Sequence, residues 1–100
     1  MTIIIIEDTQ KLREELSIYL EKNGFKTKQI TNFTNVKEQI INEKEKDLIL
    51  LDINLPNLDG EYLLKDLRKE IDTPIIIVTS KTHKFVQKNK NKTVNNKIKV

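Results

Sequence analysis

Cysteine and tryptophan are absent from the 100 residues, histidine occurs once, and glycine and proline occur twice each. Without cysteine there is no disulfide framework and no thiolate to serve as metal ligand or nucleophile, which fits a reducing cytoplasm. Long hydrophobic runs are also missing. The three uniform apolar stretches, Ile3–Ile6, Leu48–Leu51 and Ile75–Val78, hold four residues each, against about 20 for a membrane-spanning helix. The N-terminus carries neither the basic flank nor the apolar stretch of a secretory signal. Membrane and secreted classes are set aside on these grounds, and a single cytoplasmic domain is expected. Acid is missing from the last fifth of the chain. Residues 1–80 hold 11 Lys/Arg and 15 Asp/Glu, whereas residues 81–100 hold seven Lys and no acid. The net charge of +3 therefore combines an acidic body with a basic tail.

The apolar runs are rich in Ile and Val and bounded by polar residues, which suits strands buried on both faces of a parallel sheet. Helical patterns separate them. Thr9 or Asp8 can cap a helix carrying Leu12, Leu16, Tyr19 and Leu20 on its apolar face, with Asn23-Gly24 as its stop. Phe25–Ile30 reads as a strand nearer the sheet edge. Asn35 opens a second helix with Val36, Ile40 and Ile41 inward. Pro56 and Gly60 mark a loop, and the third helix follows with Leu63, Leu64, Leu67 and Ile71 inward. Pro74 leads into the fourth strand. The predicted order, β-α-β-α-β-α-β, is an α/β doubly wound parallel sheet over residues 1–80, with right-handed crossovers. The Lys/Asn-rich tail at 81–100 departs from the pattern, with room for a short helix at 82–90 and a weak strand at 93–100. No internal repeat is present.

In such sheets ligands lodge beyond the carboxyl ends of the strands. Glu7 and Asp8 follow the first strand, Asp52 ends the third, and Thr79, Ser80 and Lys81 follow the fourth. Taken singly, each has a structural explanation: Asp8 as a helix cap, Glu7 as a solvated carboxylate, Thr79 as a β-branched strand end. Together they gather three carboxylates and a hydroxyl on one edge. Adjacent carboxylates repel unless a cation neutralises them. Mg2+ suits that role, because it takes oxygen ligands and pairs carboxylates with phosphate. A carboxylate can also attack phosphorus to give an aspartyl phosphate.

Glu7-Asp8, the segment LILLDINLPNLDG around Asp52, and PIIIVTS ending in Thr79-Ser80 resemble the receiver domain of two-component response regulators over roughly residues 2–80. The resemblance implies a flavodoxin-like receiver fold and a role for each matching residue. Asp52 matches the phosphoacceptor. Glu7 and Asp8 match the acidic pair that holds Mg2+, with Asp8 the more direct ligand, and Asn54 matches the residue whose backbone carbonyl completes the metal site. Thr79 matches the hydroxyl that meets the phosphoryl group, Ser80 the small residue that leaves access to it, and Pro56 and Gly60 the loop that shapes the site. The implied partner is a sensor histidine kinase, with a homodimer as a further expectation. The segments around Asp52 and Leu67-Arg68-Lys69 are most similar to receivers that precede winged-helix DNA-binding domains. DNA contact would then need an effector domain outside these residues. The chain would be its own substrate and not a turnover enzyme.

Departures from the family pattern begin after Ser80. The family's fifth strand ends in a Lys followed by Pro, and no Lys-Pro occurs here. Lys97 and Lys99 are the residues that could stand in. The fifth helix has no counterpart, so the sheet face shared with the first helix is expected to be half covered. A degenerate or truncated receiver acting only as an interaction module is the alternative reading; the A-rich codons of Lys, Asn, Thr and Ile make an altered reading frame one origin for the tail. An aspartate-nucleophile phosphatase of the haloacid dehalogenase type is disfavoured, because that family resembles DxD where this chain reads Asp52-Ile53-Asn54. A nucleic-acid binder acting through the seven tail lysines is a third possibility. His83, alone in the basic tail, reads as solvated.

Overall fold

The computed structural model describes residues 1–53, 55 and 58–78, together with a two-residue strand at 98–99. Strands β1 (Thr2–Ile6), β2 (Lys26–Gln29), β3 (Leu48–Asp52) and β4 (Ile75–Val78) alternate with helices α1 (Gln10–Lys22), α2 (Val36–Asn42) and α3 (Gly60–Arg68), and β5 is Ile98–Lys99. The sheet order is β2-β1-β3-β4-β5. The first four strands are parallel, as the uniform apolar runs required. β5 pairs antiparallel with β4, Ile77 opposite Lys99 and Val78 opposite Ile98. The short helix expected at 82–90 and most of the strand expected at 93–100 lie outside the described residues.

Alternation along the strands sorts their side chains to two faces. Ile4, Ile6, Ile49, Leu51 and Ile75 join Val36 and Ile40 of α2 and Leu63 and Leu67 of α3 in one core, completed by Ile30 and Leu55. Ile3 and Ile5 face the other way. Their register partners on β2, Thr27 and Gln29, are the residues that α1 touches, so α1 covers this second face.

The first helix differs from its sequence reading. Its buried residues are Arg13 and Ser17, not the leucine stripe. Leu12, Leu16 and Leu20 are half-buried, and Tyr19 is 65% exposed. The reason is the edge strand. β2 presents Thr27 and Gln29 to the helix, so the seam between them is hydrogen-bonded: Ser17 Oγ lies 2.5 Å from Thr27 Oγ1, and Arg13 Nε donates to Gln29 Oε1 at 3.2 Å. Leu48 and Leu50 of β3 and Ile76 and Val78 of β4 are likewise half-buried. Tyr62 of α3 is also exposed, at 67%.

Turn chemistry fixes the helix ends. Gly24 takes φ 91°, the left-handed conformation that stops α1. Asp59 caps α3, its Oδ1 accepting from the Glu61 and Tyr62 amides at 3.0 and 3.2 Å. α2 and α3 are tied at their surface by Lys37, whose Nζ lies 3.1 Å from Asp66 and 2.6 Å from Glu70.

Candidate functional site

The 2-1-3-4 order reverses direction between β1 and β3, and the crevice beyond their carboxyl ends is where such sheets bind ligands. Register brings the candidates there. Ile6 pairs with Leu51 and Asp52 with Val78, so the residue that follows β1 stands beside the end of β3. Glu7, Asp8 and Asp52 consequently converge, each offering a carboxylate oxygen within 4.8 Å of the other two. Glu7 and Asp52 are buried, the latter 1% exposed, and Asp8 is half-buried. Asp8 is thus the least buried residue of the three.

The turn that carries the first two carboxylates is held in place by backbone and side-chain hydrogen bonds. Thr9 is the N-cap of α1 by its backbone position, without a side-chain cap bond, so Asp8 is released from the capping role that its sequence position allowed. The Thr9 amide donates to Glu7 Oε2 at 3.0 Å, which folds the Glu7 carboxylate back over the turn. Beyond Asp52, Ile53 donates its amide to the Val78 carbonyl at 3.3 Å. Gly60, the first residue of α3, is pressed against this segment: a Cβ there would lie 2.6 Å from Ile53 Cα and 2.7 Å from its carbonyl oxygen. Only glycine permits α3 to start so close to the loop after Asp52.

Three clustered carboxylates make a hard, anionic donor set, which matches a divalent cation of the Mg2+ type in ligand chemistry. Asn54, Pro56, Thr79, Ser80, Lys81 and Lys97 lie outside the described residues. Lys99 lies on β5 opposite Ile77. Residues that sequence reading did not single out are Arg13 and Gln29. Their signal was available in retrospect: Arg13 and Ser17 are polar at i, i+4 on one helix, and Thr27 and Gln29 at i, i+2 on the facing strand.

The fold agrees with relatives of known class. The model of the response regulator receiver domain matches residues 3–97, and the chain belongs to that family. It is 39% identical over 85 residues to the transcriptional regulatory protein YxdJ of Bacillus subtilis, which covers 85% of this chain and 37% of that protein. Against the transcriptional regulatory protein SrrA of Staphylococcus aureus it is 35% identical over 79 residues, covering 79% of this chain and 32% of SrrA. The chain thus spans about a third of the length of these curated relatives. Among solved structures, the N-terminal domain of the nisin resistance regulator NsrR superimposes with a TM-score of 0.70 at 36% identity, over 77% of this chain and 64% of that one. A chain from the complex of histidine kinase ThkA with response regulator TrrA gives 0.70 at 26% identity, over 78% and 66%. The chain is a receiver domain of two-component response regulators, and its curated relatives are transcriptional regulators.

Proposed function

We propose that the chain accepts a phosphoryl group on Asp52 from the phosphohistidine of a sensor histidine kinase, and is itself the substrate of that transfer and not a turnover enzyme. The observation that carries this reading is the convergence of Glu7, Asp8 and Asp52, from separate strands, within 4.8 Å at the switch point of the sheet. In the transfer an Asp52 carboxylate oxygen forms the new O–P bond as the kinase's N–P bond breaks, and the imidazole leaves with a proton. Glu7, Asp8 and Asp52 would hold Mg2+, with the Asn54 carbonyl as a further ligand. When bound, the ion supplies the positive charge that lets an anionic phosphoryl group approach an anionic acceptor. The acceptor itself lies at the buried end of β3, 1% exposed. Thr79 would take the role of the hydroxyl that hydrogen-bonds the transferred group and passes the signal on. Transcriptional output would run through a DNA-binding effector domain joined to this module, as the full-length relatives' regulatory role supports.

Incubation with Mg2+ and acetyl phosphate, read by intact mass, tests the reading. The parent is expected to gain one phosphoryl group, and Asp52→Asn none. A folded parent that gains nothing would show that the module has lost phosphoacceptor chemistry and serves for interaction alone. Steady phosphate release from a small phosphoester, without stoichiometric labelling, would point to a phosphatase.

A further inference from the structure

Arg13 is 8% exposed, one of very few charged side chains taken into the described interior. Removing a guanidinium from water is costly unless its donors are used. Two donors are directed at specific acceptors. Nη1 donates to the backbone carbonyl of Glu7 at 3.0 Å, a buried contact, and Nε donates to Gln29 Oε1 at 3.2 Å. The side chain thus spans from the second turn of α1 to the end of β1 and across to β2. Its acceptor is not any carbonyl of that strand but the residue that carries a site carboxylate. From the other side, the Thr9 amide holds the same residue's Oε2. Glu7 is clamped at backbone and side chain alike, and Asp8 hangs between the two attachments.

We infer that Arg13 is a positioning residue for the acidic cluster, locking the Glu7-Asp8 turn in its cation-binding geometry through the Glu7 carbonyl. The inference rests on the Mg2+ site proposed above. A planar guanidinium serves two acceptors in fixed directions, which the point charge of a lysine does not reproduce. Gln29 holds the guanidinium plane from the edge strand, so the clamp draws on the β1–β2 pairing, in which Gln29 is level with Ile5. The effect runs through geometry and not through charge, because a cation near the cluster would by itself oppose metal binding.

The measurements are Mg2+ affinity by titration calorimetry and, in metal-free protein, the exchange rate of the Thr9 amide by NMR. Parent, Arg13→Lys, Arg13→Gln, Gln29→Leu and Ser17→Ala are compared, each shown to be folded by circular dichroism. Both Arg13 variants are expected to weaken Mg2+ binding by about tenfold, in the range seen for outer-shell partners of metal ligands, and to speed Thr9 exchange. Gln29→Leu should do the same to a smaller extent. Ser17→Ala, which loosens the α1–β2 seam without touching Glu7, should leave both readouts at the parent values. Parental affinity and exchange in Arg13→Lys would overturn the inference, and so would tighter binding in Arg13→Gln or an equal loss in Ser17→Ala. If the Arg13 variants fail to fold, parental values in Gln29→Leu overturn it. A parent that does not bind Mg2+ refutes the proposed site, while Thr9 exchange still decides whether Arg13 clamps the turn.

Discussion

Asp52, Asp8 and Gly60 each do something at the single-residue scale that their neighbours cannot replace. Asp8 is the least buried residue of the cluster, so Asp8→Asn is expected to remove most of the Mg2+-dependent gain in stability while leaving the metal-free melting temperature near that of the parent. Thermal melts with and without Mg2+ check this. Gly60 is required by contact and not by its backbone angles, since its would-be Cβ lies 2.6 Å from Ile53 Cα. Gly60→Ala should cost about 1–3 kcal/mol, the range for forcing an extra carbon into a packed site, measured by urea unfolding. It should also slow labelling by acetyl phosphate, because relief of the clash moves the loop that follows Asp52.

Adjacent residues of β3 show how differently the two sheet faces are packed. Leu51 is fully buried in the core shared with α2 and α3, whereas Leu50, one residue earlier, is half-buried on the face of α1. Leu51→Ala should cost about 2–5 kcal/mol through lost burial and the cavity left behind. Leu50→Ala should cost distinctly less, and urea midpoints of the two variants give the comparison directly. α1 meets β2 through a polar seam, in which Ser17 pairs with Thr27 and Arg13 with Gln29. α2 and α3 are joined at the surface by Lys37, whose pKa is raised from its ordinary 10.5 to about 12 by hydrogen bonds to Glu70 and then Asp66. A pKa raised by folding stabilises the fold fully below the unfolded value, and that contribution fades as pH climbs through the folded one. Stability supplied by Lys37 is therefore present up to about pH 10.5 and lost toward pH 12. Lys37→Met should flatten that part of the alkaline stability curve, with a small amplitude because the pair is exposed.

For the molecule as a whole, ligand binding and folding are linked by mass action. A cation that binds the folded cluster and not the unfolded chain should add about 2.7 kcal/mol at a hundred times its dissociation constant. Chelation should reverse the gain. Apolar surface is distributed unevenly: the core under α2 and α3 is closed, while Leu12, Leu16, Leu20, Leu48, Leu50, Ile76 and Val78 stay half-buried on the opposite face. Among the described residues no helix is long and apolar enough to cross a membrane. With about a third of its curated relatives' length, the chain corresponds to their receiver portion, and the regulatory output of those proteins belongs to the longer whole.

Much of this was written locally in the chain. Three Ile/Val/Leu runs separated by helical periods determined a parallel sheet, because only buried central strands tolerate uninterrupted apolar residues on both faces. The position of Asp52 at a strand end, and of Glu7-Asp8 at another, already marked the edge on which chemistry would gather. Pairing decided the rest. Whether Asp8 caps the helix or joins the cluster depends on where α1 begins, and the structure places its N-cap at Thr9. The leucine spacing of α1 announced an apolar face, but which side of the helix is buried was settled by Thr27 and Gln29 on a strand 10 to 16 residues away. The i, i+4 spacing of Arg13 and Ser17 marks a polar stripe on α1 but says nothing of what Arg13 meets. Its place beneath the Glu7 carbonyl exists only once β1, β2 and α1 are assembled, since a guanidinium is taken from water only where tertiary structure supplies acceptors to meet it.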